Sequence, residues 1–200
     1  QLNSDASCTG FLLQLPLPGN RNHGEFLEAI DPKKDCDGLH PYNLGRLVMG
    51  EPAPRPCTPA GVIRLLEHYQ VELSGAHVVI IGRGSTVGRP MALMLSDRLI
   101  NATVSVVHTG TKNPHSLIKS ADILIAALGK KWFVTPEMVR EGAVVVDVGL
   151  TRDGDRLYGD VDPAVSEVAG ALSPVPQGVG PMTRAMLVEN LIRIYRGEFQ

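Results

Sequence analysis

The stretch that decides the fold is His77-Val78-Val79-Ile80-Ile81, which runs without a break into Gly82-Arg83-Gly84-Ser85-Thr86-Val87-Gly88-Arg89-Pro90. A short, continuous apolar run rich in β-branched residues is the signature of a strand buried on both faces. The glycines that follow are spaced G-x-G-x-x-x-G, one residue longer than the common dinucleotide fingerprint. Gly82 permits a tight turn, and Gly84 lets the main chain approach a pyrophosphate. The helix that opens behind them offers free N–H groups and the positive end of its dipole. A plain strand-to-helix turn that uses glycine only for packing is the competing reading.

Three further apolar runs favour the nucleotide reading: Thr103–Val107, Asp122–Ala126 and Ala143–Asp147. Helical patterns separate them, at Val87–Leu95, Pro114–Lys119 and Pro136–Glu141. Strands alternating with helices predict an α/β fold, a Rossmann-like doubly wound parallel sheet covered on both faces. The end of the second strand is informative through what it lacks. Sites that select NAD place an acid there to hold the ribose hydroxyls. Here the strand ends in His108-Thr109-Gly110-Thr111-Lys112. Arg83 and Thr109 are therefore the expected partners of a 2′-phosphate, and the expected cofactor is NADP. His108 and Lys112 read as a solvated strand-end loop.

The preceding region has a different texture. Phe11-Leu12-Leu13-Gln14-Leu15, closed by Pro16-Leu17-Pro18-Gly19, predicts a buried strand with a hard stop. Within it Gln14 needs hydrogen-bond partners, or a cleft to face. Glu25–Ile30 predicts a short helix, and Asp31–Asn43, dense in Asp, Pro and Gly, predicts a loop. Thr58-Pro59 predicts a helix start with Thr58 as the cap, running to Tyr69. A last helix is predicted over Thr183–Tyr195, fed by a rigid loop from Pro174 to Thr183. A boundary is expected near Leu73.

Asp35-Cys36-Asp37-Gly38-Leu39-His40-Pro41 has the look of a calcium loop but fails as one, because Lys33 and Leu44 fall where oxygen ligands are required. It is either an Asp/Gly-rich turn or a carboxylate placed to bind the N–H groups of a substrate. The 200 residues carry 19 Lys plus Arg against 21 Asp plus Glu, a net charge of −2, which argues against nucleic-acid and membrane-surface partners. No apolar run reaches the roughly 18 residues that span a bilayer. The three cysteines, Cys8, Cys36 and Cys57, form no C-x-x-C pair and no zinc spacing, so no metal is expected. They imply reduced thiols and a cytoplasmic location. The start at Gln1 suggests a fragment.

Together these segments resemble the bifunctional methylenetetrahydrofolate dehydrogenase/methenyltetrahydrofolate cyclohydrolase family. The matching stretches are Gly10–Pro18, Lys34–Asn43, Arg55–Pro59, the Gly82 loop, Val146–Gly149, Gly159–Val161 and Pro174–Thr183. The resemblance implies a folate-binding domain at residues 1–73, an incomplete α/β unit onto which a C-terminal helix at 182–200 packs back. It implies an NADP-binding domain at 74–181. The implied chemistry is hydride transfer from 5,10-methylenetetrahydrofolate to NADP⁺, then hydrolysis of the methenyl product to 10-formyltetrahydrofolate. Gln14 matches a glutamine that contacts the family's catalytic lysine, and Asp37 the aspartate that binds the pterin. Pro16, Gly180, Pro181 and Thr183 match substrate contacts. Gly82, Arg83, Gly84, Thr109 and Leu150 match cofactor contacts. A homodimer through the nucleotide domain is also implied.

Three departures accompany the match. The family's catalytic lysine and companion tyrosine precede the glutamine segment, and this sequence has neither before Lys33. Poor turnover and exposed apolar surface are the expected consequences. Gly84 stands where many members carry Ser. Gln177 replaces the first Gly of a Pro-Gly-Gly-Val-Gly-Pro run, a costly exchange if that position requires a positive φ. The alternatives are a non-catalytic NADP-binding module, or another NADP-dependent dehydrogenase of amino or hydroxy acids.

Overall fold

The computed structural model describes residues 1–19 and 21–199. The decisive stretch forms β1 (His77–Ile81), and the three further runs form β2 (Thr103–Val107), β3 (Ile123–Ala126) and β4 (Val144–Asp147). A two-stranded hairpin, β5 (Thr151–Asp153) and β6 (Arg156–Tyr158), follows, and then β7 (Ala171–Leu172). Five of these strands make one sheet in the order β2-β1-β3-β4-β7, every pairing parallel. The helices are α1 (His23–Glu28), α2 (Pro41–Val48), α3 (Cys57–His68), α4 (Gly88–Leu95), α5 (Pro114–Lys119) and α6 (Val179–Tyr195). The α/β class and the parallel sheet are as the sequence predicts.

The period-2 alternation of a strand sorts the side chains onto two faces. Val78 and Ile80 pack with Ile123, Ile125 and Val146 against α3 and α4, meeting Val62, Leu66, Met91 and Leu95. Val79 and Ile81 pack with Leu124, Ala126 and Val145 against the other layer, meeting Ile118, Val134 and Val165. Each large side chain sealed in this way contributes roughly 1.5–3 kcal/mol. The run is continuously apolar because both faces are covered.

Several expectations are corrected. Phe11–Leu15 is not a buried strand: only Phe11 bridges, to Asp35, and Gln14 is exposed. Phe11, Leu13 and Leu15 instead lay their side chains on Leu27, Ile30 and Leu39. An apolar run signals burial of side chains, and a ladder forms only where another strand lies alongside. Helix α3 starts at Cys57 with no side-chain cap, so Pro59 falls third in the helix. That position suits it, because the first turn has N–H groups without intrahelical partners. The Thr58 hydroxyl accepts from Thr183 Oγ1 at 3.2 Å. Helix α2, absent from the sequence reading, begins at Pro41 with His40 Nδ1 accepting from Tyr42 N at 3.0 Å. Pro136–Glu141 yields one 3₁₀ turn, Pro136–Met138. Helix α6 begins at Val179, a turn ahead of Thr183, so Gly180 and Pro181 are helical. The hairpin and β7 are too short to show a period.

Two buried carboxylates fix the loops at the carboxyl edge of the sheet. Asp147, the last residue of β4, accepts from Asp160 N at 2.9 Å and Val161 N at 3.1 Å. Asp160 in turn accepts from the main-chain N–H groups of Leu128, Gly129 and Lys130, the loop after β3. A Cβ at Gly149 would strike the Asp160 carboxylate, and one at Gly159 the Asp147 carboxylate. The Gly149 and Gly159-Asp160-Val161 stretches are therefore joined by charge-assisted bonds and by glycines that leave room for them.

Burial raises the Asp147 carboxyl to about 6, against the pull of the two N–H groups, and neighbouring Asp160 pushes it up further. A carboxyl raised in the folded state binds its proton more tightly there than in the unfolded chain. Its contribution to stability therefore grows as pH falls from about 6 toward 4. Asp147→Asn lacks this proton and turns an NH₂ toward an N–H. The wild type should gain about 1 kcal/mol on this variant between pH 7.5 and 5.0. Urea unfolding of both proteins at the two pH values reads the difference, and equal pH slopes would exclude a raised Asp147.

Candidate functional site

The sheet order puts β1 between β2 and β3, so the chain leaves β1 on one side and returns on the other. Doubly wound sheets bind ligands at this switch point, beyond the carboxyl ends of the strands. Gly82 lies there, its N–H on Val107 O at 2.9 Å, while Ala127 N bonds Ile81 O at 2.9 Å. Its φ is +117°, and a Cβ would collide with Ala127 O, so only glycine closes this turn. Gly88 opens α4 directly against the Gly82 carbonyl, where a Cβ would again collide. Gly84, by contrast, is exposed with open space about its Cα. The first and last glycines of the loop are thus used for packing and the middle one faces solvent, the arrangement expected where a main chain meets a phosphate.

Arg83 is exposed beside Gly82, with NH1 3.4 Å from His108 Nε2 at the end of β2. Thr109 follows on the same edge, and Leu150, 57% exposed, stands beyond β4. The cofactor candidates Gly82, Arg83, Gly84, Thr109 and Leu150 therefore share the carboxyl edge of one sheet. His108, read from the sequence as solvated, is half-buried against Arg83.

A second group lines a cleft of 300 Å³ that runs from the early segment to the glycine loop. Gln14, Asp37, Cys57, Thr58, Thr86, Thr183 and Arg184 supply its polar wall, and Leu12, Leu13, Leu15, Leu39, Val87 and Leu187 its apolar one. His23 Nε2 lies 3.3 Å from Ser85 Oγ, linking α1 to the glycine loop. Pro16 is exposed and lies outside this lining, as do Gly180 and Pro181 on the first turn of α6. Gln14 donates to Leu15 O at 3.0 Å, which leaves its carbonyl oxygen free to meet a ligand.

The two readings of the Asp35–Pro41 segment divide between two residues. Asp35 is buried and organises the turn, accepting from Gly38 N at 3.1 Å, His40 N at 2.8 Å and Asn43 Nδ2 at 3.0 Å. Asp37 faces the cleft. Burial pushes its carboxyl up, the neighbouring Cys57 thiol works partly the other way, and the Asp35 charge adds to the rise. Burial also pushes the Cys57 thiol well above its usual range. All three cysteines are free.

Asn190 is a residue the sequence reading missed. Buried in the middle of α6, it donates to Cys36 O at 3.0 Å and Arg55 O at 2.8 Å, fastening α6 across the two segments that flank Asp37. An asparagine inside a helix, where its propensity is poor, was the available signal. Among the described residues no cluster of His, Cys, Asp or Glu could hold a metal ion.

Residues 56–199 match the family model of the tetrahydrofolate dehydrogenase/cyclohydrolase NAD(P)-binding domain. Among solved structures, 5,10-methylenetetrahydrofolate dehydrogenase from the silkworm Bombyx mori superposes with a TM-score of 0.93 at 40% identity, over 98% of this chain and 71% of its own. The bifunctional methylenetetrahydrofolate dehydrogenase/cyclohydrolase of Campylobacter jejuni gives 0.92 at 46% identity, over 98% and 70%. The Trypanosoma brucei enzyme, solved with NADP cofactor and an inhibitor, gives 0.90 at 37%, over 98% and 70%.

Gln177 stands at φ +79°, a left-handed conformation that disfavours any side chain. Gln177→Gly should therefore stabilise the chain by about 1 kcal/mol, the relieved strain outweighing the added freedom of the unfolded state. Thermal unfolding of the two proteins measures this, and a lower melting temperature for the variant would contradict it.

Proposed function

Because this chain belongs to the tetrahydrofolate dehydrogenase/cyclohydrolase family, we propose that it oxidises 5,10-methylenetetrahydrofolate with NADP⁺ and hydrolyses the methenyl product to 10-formyltetrahydrofolate. The observation that carries the reading is the continuity of the two sites. Thr86 and Val87, from the glycine loop, line the same cleft as Gln14, Asp37 and Thr183. A ligand in that cleft therefore abuts a cofactor held at the switch point, the proximity that direct hydride transfer demands.

The residues present suit the cofactor. The open space about Gly84 accommodates a pyrophosphate beside the start of α4, and Arg83 and Thr109 flank the position of a 2′-phosphate. When bound, NADP⁺ supplies the hydride acceptor. Asp37 holds the pterin by accepting from its ring and amino N–H groups. The leucines of the cleft cover its apolar edges and exclude bulk water. Gln14 offers its free carbonyl oxygen to the ligand as an acceptor, and Thr183 lines the wall contributed by α6. In this proposal residues 1–73 and the helix over 182–200 form the folate half, and residues 74–181 the nucleotide half. The packing of α6 on α3 supports that division.

Pro16, Gly180 and Pro181 keep their proposed substrate contacts through the rims of the cleft, and Leu150 its contact with the cofactor. A homodimer and a cytoplasmic location complete the proposal, the free thiols supporting a reducing compartment. None of the described helices is long and apolar enough to cross a membrane.

Calorimetric titration with NADP⁺ and NAD⁺, followed by titration of the NADP⁺ complex with a 5,10-methylenetetrahydrofolate analogue, tests the reading. NADP⁺ should bind at least about tenfold tighter than NAD⁺, a single charge-assisted contact being worth that much. Arg83→Ala should remove most of the preference. Asp37→Ala should abolish analogue binding and leave NADP⁺ binding intact. Equal affinity for the two cofactors, or analogue binding indifferent to Asp37, would refute it.

A further inference from the structure

We propose that Arg184 selects folates that carry their glutamyl carboxylates, by pairing with them at the mouth of the cleft. The inference rests on the folate reading above and names how the far end of that substrate is held. Only two of the described residues that line the cleft are charged, Asp37 and Arg184. They sit at different depths. Cys57 N donates to Asp37 O at 3.2 Å, which sets the half-buried Asp37 beside the buried Cys57. Arg184 and Gln14 are exposed and mark the mouth. The cleft thus has an anionic acceptor inside and a cation at its opening. A folate has the complementary polarity. Its pterin presents N–H donors, and its p-aminobenzoyl arm ends in a glutamate with two carboxylates. With the pterin on Asp37, the arm runs outward to where Arg184 stands.

No acid among the described residues already claims this guanidinium. Its neighbours one turn away on α6 are Gly180, Pro181, Leu187 and Val188, none of them acidic. Glu189, further along the helix, pairs with Arg64 at 3.5 Å. None of the ion pairs of the described residues includes Arg184. The base from which it projects is fixed, because Thr183 Oγ1 donates to Thr58 Oγ1 at 3.2 Å and Asn190 ties the same helix to Cys36 and Arg55. A guanidinium offers two parallel N–H groups in a fork that matches a carboxylate, so it binds that group with more geometric selectivity than a point charge does. Thr86 and Val87 bring the glycine loop to the same cleft. A cofactor phosphate is therefore the rival anion, and the test separates the two.

The NADP⁺ complex is titrated calorimetrically with tetrahydrofolate and with its bis-amide, in which both glutamyl carboxylates are replaced by carboxamides of the same shape. The wild type should bind tetrahydrofolate about fivefold tighter, the upper end for a solvent-exposed ion pair. Arg184→Ala should erase that preference by weakening tetrahydrofolate alone. Arg184→Lys, which keeps the charge and loses the fork, should restore most of it. Raising the ionic strength from about 0.1 M to 1 M shortens the screening length from about 10 Å to 3 Å and should shrink the wild-type preference. An equal loss for both ligands in Arg184→Ala would mark damage to α6, and a loss of NADP⁺ affinity would give Arg184 to the cofactor. Either result, or a preference unchanged by Arg184→Ala, overturns the inference while the dependence of tetrahydrofolate binding on Asp37 stands. Tetrahydrofolate binding indifferent to Asp37 would instead refute the folate reading, and this inference with it.

Discussion

Everything at the ligand-binding edge depends on how closely three pieces of main chain meet at Gly82. Its carbonyl receives the first residue of α4, its Cα sits against Ala127 at the end of β3, and its N–H is tied to Val107 at the end of β2. No side chain fits at Gly82 or Gly88, so the turn closes with the helix abutting the strand ends. That closure sets the direction of α4 and projects Arg83 sideways toward β2. It also carries Thr86 and Val87 forward into the cleft. The phosphate cradle, the contact between Arg83 and His108, and the approach of the nucleotide half to Asp37 are consequences of one steric condition.

Around that junction, buried carboxylates do structural work that the sequence does not distinguish from chemistry. Asp35, Asp147 and Asp160 are almost fully buried, and each accepts at least two main-chain N–H bonds. Removing such a partner would leave buried donors unpaired, at roughly 1–3 kcal/mol each. Loops are where ligand sites are built, and they lack ladders to satisfy their own N–H groups. A carboxylate with two oxygens can stand in for the missing strand. Asp37, two residues from Asp35, is left facing the cleft because its neighbour has already satisfied the turn.

The cleft itself is assembled from distant parts. Gln14 arrives on an extended segment, Asp37 on a turn, Cys57 and Thr58 on the start of α3, Thr86 from the glycine loop, and Thr183 on α6. Asn190 fastens the last of these to the segments around Asp37, and the bond from Thr183 to Thr58 joins the same two helices near their starts. Helix α6 thus serves less as a terminal element than as a clasp, which accounts for the asparagine at its buried position 190.

The sequence by itself determined the parallel sheet, the position of the glycine loop and the absence of an acid after β2, because each is written in local pattern: unbroken apolar runs, glycine spacing, and the identity of the residues that end a strand. Boundaries were less legible where short-range chemistry was ambiguous. Pro59 marked a first turn but not the residue that opened it, and Pro181, expected in a loop, sits inside one. The Phe11–Leu15 run disclosed an apolar surface, not the absence of a ladder. Only the tertiary structure decided which aspartate organises the turn and which faces the cleft, that Asn190 reaches across from α6, and that His108 Nε2 lies against Arg83. Those outcomes are set by which strand ends and helices lie beside one another. That is a property of long-range packing, which no window of neighbouring residues contains.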